Sequence, residues 1–301
     1  MAKIAFIGLG HMGGGMAPNL AKAGHDVRAF DLVAAAVEHA VDGGCAAAGS
    51  AADAVKGADV VITMLPAAQH VRAVFENDVA PNATKGALLI DCSTIDVASA
   101  RAVGGAMTAQ GFDFVDAPVS GGIAAAASGN LTFMVGGSDA AFAKAQPYLE
   151  PMAKAVIHAG DLGAGQAAKI CNNMILGATM AATCEAFAMA ERLGLDLQTF
   201  YDISSKASGQ SWSMTSYCPV PGVGPDTPAD HDYEGGFAAA LMLKDLRLAM
   251  DAAQSAGAYT PMGAEAEKLY QRFVDRGGGN KDFSGLIRMI DDSWKVPEEQ
   301  K

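Results

Sequence analysis

Short apolar runs alternate with helix-like stretches through the first 160 residues of the chain. Each run is rich in branched or aromatic side chains, and the stretches between runs are long enough for helices. Strands that alternate with helices of roughly ten to fifteen residues are typical of a parallel sheet covered on both faces. We therefore predict an α/β fold with a doubly wound, Rossmann-type parallel sheet. The predicted strands are 4–7, 27–30, 59–63, 87–90, 112–115 and 131–135.

The pattern changes near residue 160, where the strand signals stop. A long helix is predicted from about 166 to 192, followed by further helices and a loop rich in Pro and Gly. The sequence thus predicts a Rossmann domain over residues 1–161 and an all-helical domain over residues 162–301, joined by a long interdomain helix. The later predicted helices are 196–206, 237–256 and 261–275, and the loop is 218–228.

Glycines follow the first predicted strand in the pattern GxGxxG. Gly8 permits a tight turn, Gly10 lets the backbone approach a pyrophosphate, and Gly13 lets the helix pack on the strand. The helix that starts here then offers backbone N–H groups to phosphates. Because the pattern lies between a strand and a helix, it predicts a dinucleotide-binding βαβ unit. The loop residues expected to contact the cofactor are Gly8, Leu9, Gly10, His11, Met12 and Gly13.

An acidic residue ends the second predicted strand. Asp31 lies 18 residues beyond Gly13, where a carboxylate accepts hydrogen bonds from both ribose hydroxyls. A 2′-phosphate would face this carboxylate, and Leu32 and Val33 supply no compensating Arg. The sequence therefore favours NAD over NADP. The alternative interpretation is that Asp31 is only a polar strand end and the glycines only a turn.

A single lysine interrupts the apolar start of the long predicted helix. Lys169 is the only charged residue between Asp161 and Glu185, and Asn173 lies on the same face at i+4. An apolar environment lowers the pKa of a lysine, which suits proton exchange with a hydroxyl near neutral pH. We predict that Lys169 and Asn173 are catalytic and contact the substrate. The alternative is that Lys169 extends its ammonium group into solvent.

A third candidate site follows the strand 112–115 and covers residues 116–122. Ligands of open α/β sheets bind beyond the carboxyl ends of the strands. The hydroxyl of Ser120 and the backbone N–H groups of Gly121 and Gly122 could bind a carboxylate there. The same string is also a common strand-to-loop turn. Residues 65–66 and 92–94 likewise end strands and are expected to line the nucleotide crevice.

Composition and charge narrow the class of protein. Half of the 301 residues are hydrophobic, the formal net charge is −12, and no cluster of Lys and Arg that could bind nucleic acid is visible. No stretch suggests a membrane span. The histidines do not have the spacing of metal ligands, so we predict no metal site. Five cysteines without paired spacing are typical of free thiols in a reducing cytoplasm.

Taken together, these segments resemble the β-hydroxyacid dehydrogenase family, and most closely its 3-hydroxyisobutyrate branch. The resemblance covers essentially the whole chain, and the last three of its motifs are specific to that branch. The motifs are GLGHMGGGMA at 8–17, TMLP at 63–66, DCSTID at 91–96, DAPVSGG at 116–122, GAGQAAKICNN at 163–173, SSKASGQSW at 204–212, PVPGV at 219–223 and GGFAAALMLKDLRLA at 235–249.

The resemblance implies roles for individual residues. Lys169 would be the catalytic acid/base with Asn173 as its partner, and the 120–122 loop would bind the substrate carboxylate. From the residues alone, Lys244 and Asp245 are typical of a solvated helix pair. Implied NAD contacts outside the glycine loop are Leu65, Pro66, His70, Thr94 and Lys244, and residues implied to shape the pocket are Trp212, Phe237 and Asp245.

Three positions depart from the family pattern. His11 and His70 stand where Asn is common, and Gly15 stands where Pro is common. These departures put the details of the nucleotide contacts in doubt and leave the binding unit intact.

The activity implied by the resemblance is NAD-dependent oxidation of 3-hydroxyisobutyrate to methylmalonate semialdehyde, a step of valine catabolism. A tartronate semialdehyde reductase, a 4-hydroxybutyrate dehydrogenase and a non-catalytic dinucleotide-binding module remain alternatives. The expected partner is a small hydroxyacid, with neither nucleic acid nor membrane. A cytoplasmic homodimer or homotetramer is also expected.

Overall fold

The computed structural model describes residues 1–293, and the chain divides into two compact units, Met1–Lys169 and Ile170 onwards. The division falls within the long helix, whereas the predicted domain boundary precedes that helix. Residues 294–301 of the predicted second domain lie outside the described residues.

The first unit is built on a nine-stranded sheet. Its order is β3-β2-β1-β4-β5-β6-β8-β7, with β9 paired to β8. The first six strands in this order are all parallel and have the arrangement typical of dinucleotide-binding domains. The strands are β1 Lys3–Ile7, β2 Asp26–Phe30, β3 Ala46–Ala47, β4 Val60–Thr63, β5 Leu88–Asp91, β6 Asp113–Asp116, β7 Val119–Ser120, β8 Leu131–Gly136 and β9 Ala153–Gly160.

The far edge of the sheet departs from the predicted all-parallel arrangement. Strand β8 runs antiparallel to β6 and β7, and parallel to β9. Three observed strands were not predicted. β3 and β7 have only two residues each, and β9 mixes Lys and His with its apolar residues because it is partly exposed.

Alternate residues of the central strands enter separate cores, which explains their continuous apolar character. In β1, Ile4 and Phe6 belong to one buried cluster, whereas Ala5 and Ile7 belong to another. A strand that is buried on both faces has apolar residues at every position. The predicted covering of both sheet faces is therefore observed in the first unit.

Helices surround the sheet, and helices and loops make up the described part of the second unit, through residue 293. In that described part a single isolated β-bridge joins Ala238 and Asp282. Within residues 1–293, none of the helices combines the length and apolar character that a bilayer crossing requires. The helices are α1 Gly13–Lys22, α2 Ala34–Asp42, α3 Ala51–Val55, α4 Ala68–Val74, α5 Ala80–Asn82, α6 Val97–Ala109, α7 Gly122–Ser128, α8 Asp139–Leu149, α9 Ala164–Arg192, α10 Leu197–Ser204, α11 Trp212–Thr215, α12 Ala239–Ala256, α13 Pro261–Phe273 and α14 Leu286–Ile290.

The predicted long helix is α9, which runs without interruption from the first unit into the second. The second unit has its own core, formed by α9, α12, α13 and the loops between them. Aromatic rings fill much of it, including Phe187, Tyr233, Tyr270 and Phe283.

Candidate active site

The glycine loop has the shape that a dinucleotide requires. Gly8 has φ +96°, and a Cβ there would overlap the carbonyl oxygen of Met64. A Cβ at Gly13 would overlap the carbonyl oxygen of Gly8, whereas a Cβ at Gly10 would meet no atom within 4 Å. The outer two glycines therefore permit the turn and the helix packing. Gly10 leaves open space beside the backbone, which fits the close approach of a pyrophosphate.

Asp31 braces this loop from the end of β2. Its carboxylate accepts the backbone N–H of Leu9 at 2.7 Å and that of Val33 at 2.8 Å. Each carboxylate oxygen can accept more than one hydrogen bond, so Asp31 can still accept hydrogen bonds from the ribose hydroxyls. Leu32 is 93% exposed and, like Val33, carries no positive charge that could face a 2′-phosphate. The ribose contact stays a prediction, and the geometry is compatible with it.

The three departures from the family pattern have different structural settings. His11 and His70 are exposed side chains. Gly15 lies where α1 meets α7, and a Cβ there would stand 2.8 Å from the backbone nitrogen of Ala127. Asn19 joins the same two helices by donating to the carbonyl oxygens of Gly15 and Ala126. Packing of α1 against α7 therefore explains the glycine at residue 15.

A row of buried polar residues lies at the carboxyl edge of the sheet. Thr63, Asp91 and Asp116 end β4, β5 and β6 and are register neighbours. Thr63 Oγ1 donates to Asp91 Oδ1 at 2.8 Å. Burial raises the pKa of Asp91 to about 6, and the negative charge of Asp116 adds to this effect. This is the edge at which ligands of doubly wound sheets bind.

The predicted cofactor contacts Leu65 and Thr94 follow two of these strands. Ser93 connects their loops: its Oγ accepts the N–H of Leu65 at 2.8 Å and donates to Asp91 at 2.6 Å. Pro66 is exposed next to Leu65. The structure therefore brings the loops at 65–66 and 94 together over one hydrogen-bonded network.

The start of α9 is attached to the same edge. Asp116 accepts the backbone N–H of Gly163 at 2.7 Å and that of Gln166 at 2.9 Å. Burial raises the pKa of Asp116, although these N–H donors oppose the shift. A Cβ at Gly165 would overlap the carbonyl oxygen of Met134, so glycine is needed for this close approach.

Lys169 follows one turn later and is only 8% exposed. A lysine that reached into solvent would be far more accessible. The structure thus supports the interpretation of a lysine enclosed by the protein, while its catalytic role stays a prediction.

In the second unit, Asn173 is held by a buried acid. Its Nδ2 donates to Asp245 Oδ2 at 2.5 Å, and its Oδ1 accepts from Asn172 at 3.0 Å. Asn173 and Asp245 are both buried. The interpretation of Lys244 and Asp245 as a solvated pair is therefore wrong, because Asp245 is a buried hydrogen-bond acceptor. Burial also lowers the pKa of Lys244.

The predicted carboxylate-binding loop contains a short strand that the sequence did not indicate. Ser120 ends β7, which pairs with β8, and α7 starts at Gly122. Gly121 and Gly122 have φ of +138° and +76°, backbone angles that residues other than glycine rarely adopt. The loop has the backbone that two glycines permit. Its contact with a substrate stays a prediction.

The aromatic residues predicted to shape the pocket are organised by a residue that sequence reasoning missed. Trp212 stacks on Tyr217 with 4.8 Å between ring centroids. The buried carboxylate of Asp282 accepts the hydroxyl of Tyr217 and the backbone N–H of Phe237. No motif marks Asp282, which the fold brings to Tyr217 from 65 residues away.

The hydrogen-bonding roles of four further residues were missed as well: Asp91, Ser93, Asp116 and Gln166, although Ser93 and Asp116 lie within segments that were predicted to line the site. Two of them carried a signal, because Asp91 and Asp116 each place a charge directly after an apolar strand. Ser93 and Gln166 are ordinary polar residues whose partners become visible only in the folded chain.

Comparison with known proteins identifies the family. Residues 3–160 match the family described as the NAD binding domain of 6-phosphogluconate dehydrogenase. Residues 163–290 match the family described as NAD-binding of NADP-dependent 3-hydroxyisobutyrate dehydrogenase. The chain belongs to the 3-hydroxyisobutyrate dehydrogenase family. The resemblance inferred from the motifs is therefore confirmed.

Full-length relatives support this membership. The chain is 48% identical to an NAD-dependent L-serine dehydrogenase of Pseudomonas aeruginosa, over 97% of this chain and 98% of the relative. It is 47% identical to a 3-hydroxyisobutyrate dehydrogenase of the same organism, over 96% and 98%. The solved structure of Mycobacterium tuberculosis 3-hydroxyisobutyrate dehydrogenase with L-serine has a TM-score of 0.92 at 47% identity, covering 96% of this chain and 99% of that one.

These matches make the chain an NAD-binding dehydrogenase with a Rossmann-type domain, as predicted. The predicted preference for NAD over NADP stays a prediction, since one matching family is described by an NADP-dependent enzyme. The individual roles of the site residues also stay predictions.

Proposed function

We propose that this dehydrogenase oxidises the primary hydroxyl group of 3-hydroxyisobutyrate to methylmalonate semialdehyde. The observation that carries the proposal is the placement of Lys169. It is buried on α9, where Gln166 donates hydrogen bonds to Asp116 at the end of β6 and to Ser93 in the loop after β5. Lys169 is thereby attached to the sheet edge that carries the glycine loop. An acid/base group beside a dinucleotide site is what alcohol oxidation requires.

In the proposed reaction the protein has two tasks, which are to position the substrate and to transfer the hydroxyl proton. NAD⁺, when bound, supplies the acceptor for the hydride that leaves the carbinol carbon. The neutral amine of Lys169 takes the hydroxyl proton, so that the alcohol loses a hydride and a proton and becomes an aldehyde. In the reverse direction the resulting ammonium group returns the proton. An apolar environment favours the neutral amine of a lysine over its ammonium form.

Orientation of the substrate is assigned to two further groups. The Ser120 hydroxyl and the N–H groups of Gly121 and Gly122 bind the carboxylate. Asn173 orients the hydroxyl group, and its own amide is fixed by the hydrogen bond to Asp245. Fixed geometry of this kind lowers the entropic part of the barrier.

L-Serine is a second candidate substrate. It is also a 3-hydroxy carboxylate, with an ammonium group in place of the methyl group at C2. Relatives of nearly equal identity carry the two substrate names, and one solved relative was determined with L-serine.

A substrate panel tests the proposal. We expect kcat/KM with NAD⁺ to be highest for 3-hydroxyisobutyrate among 3-hydroxyisobutyrate, L-serine, glycerate and 4-hydroxybutyrate. A preference for L-serine would replace the first candidate by the second. A panel without NADH formation at 340 nm would contradict both and favour a non-catalytic dinucleotide-binding module. A role in valine catabolism and a homodimeric or homotetrameric state stay predictions.

A further inference from the structure

We propose that Gln166 is a positioning residue that sets the distance between Lys169 and the cofactor-binding loop at Thr94. The inference rests on the proposed function, in which Lys169 moves the hydroxyl proton and Thr94 contacts NAD. Nothing in the motif itself assigns a role to this glutamine.

The side chain of Gln166 holds the two residues that flank Thr94. Its Nε2 donates to the carbonyl oxygen of Ser93 at 2.7 Å, and its Oε1 accepts the backbone N–H of Ile95 at 3.1 Å. Both hydrogen bonds are buried, and Gln166 itself is 0% exposed. The side-chain amide of Gln166 thus holds residues 93–95 by two hydrogen bonds, and we call this arrangement the clamp.

The main chain of Gln166 is fixed independently of its side chain. Its N–H donates to Asp116 Oδ2 at 2.9 Å, so the first turn of α9 is tied to the end of β6. Lys169 follows at i+3, the spacing at which helical side chains are neighbours. The residue that binds the Thr94 loop is therefore one helical turn from the proton-transfer group.

The clamp continues to the second cofactor-binding loop. Ser93, whose carbonyl oxygen Gln166 binds, accepts the N–H of Leu65 with its Oγ and donates that hydroxyl to Asp91. A single chain of hydrogen bonds thus joins α9, the loop after β5 and the loop after β4. Movement of Gln166 would be transmitted to both loops.

The chemistry requires an amide at this position. A glutamine supplies one donor and one acceptor at fixed separation, whereas a leucine of similar size supplies neither and a carboxylate supplies acceptors alone. Hydride and proton leave the substrate in one reaction, and their acceptors must be aligned together. A displacement of about 1 Å can lower a rate by about 10²-fold.

The first test compares Gln166→Leu with wild type. We expect kcat to fall at least about tenfold, and the deuterium isotope effect on kcat with substrate labelled at the carbinol carbon to rise, while the Kd for NADH changes by a smaller factor because the glycine loop is untouched. Thr227→Val is the matched control. It removes a buried hydrogen bond to the Cys218 carbonyl in the second unit, so it should lower the thermal midpoint without changing the isotope effect.

Gln166→Glu provides a second test that a merely structural role would not satisfy. The ionised carboxylate faces the Ser93 carbonyl oxygen and cannot donate to it, whereas the protonated acid regains one donor. Asp91 and Asp116 lie in the same network and favour protonation of the introduced acid, whereas Lys169, one turn along α9, opposes it when its amine is protonated. The ratio of variant to wild-type kcat should therefore rise as the pH falls. Gln166→Leu has no ionisable group, and its ratio should stay constant.

Amide hydrogen exchange separates failure of the inference from failure of the proposed function. Loss of the clamp should accelerate exchange at Ile95 in Gln166→Leu, whether or not the enzyme turns over any substrate of the panel. Unchanged exchange at Ile95 contradicts the clamp. Accelerated exchange with wild-type kcat and isotope effect contradicts its positioning role. A wild-type protein inactive on the whole panel contradicts the proposed function instead.

Discussion

The two units differ in how fully a buried carboxylate is hydrogen-bonded. Asp282 in the second unit and Asp91 in the first are both 0% exposed. Asp282 has partners on both oxygens: Ser284 donates its N–H and hydroxyl to Oδ1, and Tyr217 and Phe237 donate to Oδ2. Asp91 receives three hydrogen bonds on Oδ1, whereas its Oδ2 has no partner within residues 1–293.

This difference separates a structural acid from one placed at a functional edge. Buried polar groups are normally satisfied, and those that are not cluster at sites under functional constraint. Asp282 ties together the aromatic residues of the second unit. Asp91 lies beside Asp116 at the sheet edge that carries the glycine loop and the start of α9, where like charges disfavour ionisation.

The largest expected effect on stability comes from breaking the satisfied cluster. Asp282→Ala leaves the Tyr217 hydroxyl, the Phe237 N–H and the Ser284 donors without their acceptor. We expect the free energy of unfolding to fall by roughly 3–5 kcal/mol, because each buried unsatisfied donor costs about 1–3 kcal/mol. Urea unfolding followed by circular dichroism measures this loss.

Asp202→Ala is the control for that measurement. Asp202 is an exposed acid of the same unit that accepts from Gln198 at 3.1 Å. Its removal should change the free energy of unfolding by less than about 0.5 kcal/mol. Equal losses in the two variants would show that the Asp282 cluster does not stabilise the second unit.

The buried carboxyl group of Asp91 in the first unit predicts that the stability of the protein depends on pH. The pKa of Asp91 is raised to about 6, so the folded protein binds a proton that the unfolded chain releases near pH 3.8. The stability that the neutral acid contributes is present below pH 3.8 and is lost as the pH rises through 6. Asp91→Asn keeps the neutral form at every pH and should remove this loss.

The measurement is the free energy of unfolding of both proteins between pH 4 and pH 8. The stability of Asp91→Asn relative to wild type should increase with pH by roughly 2–3 kcal/mol, since one pKa unit corresponds to about 1.4 kcal/mol. Asp116, Cys92 and the hydroxyls of Thr63 and Ser93 surround the carboxyl and remain unchanged. A difference that is independent of pH would mean that Asp91 is ionised as easily in the folded as in the unfolded chain.

Periodicity was sufficient to predict the framework of both units. All six predicted strands are present, and the long predicted helix is α9, because buried strands and helices have strong apolar patterns. Strand β9 and the antiparallel direction of β8 were missed. Strand direction depends on which neighbours pair, and a partly exposed edge strand has no continuous apolar run.

The candidate site could be predicted only where a local motif carries the chemistry. The glycine loop and Asp31 have fixed spacing, and Lys169 stands out in an uncharged helix. Gln166 and Asp282 were missed because the partners that tie them to the rest of the site lie 45 to 73 residues away in the sequence. Long-range hydrogen bonds leave no periodic signal.

In the proposed reaction, Lys169 moves the proton at the carboxyl edge of the first unit. The most direct test is the turnover of Lys169→Ala with 3-hydroxyisobutyrate and NAD⁺, together with the Kd for NADH. Lys154→Ala, which removes an exposed lysine of β9, is the control and should behave as wild type. We predict a fall in kcat of about 10²-fold or more for Lys169→Ala with NADH binding retained. Turnover near that of wild type would exclude Lys169 as the group that moves the proton.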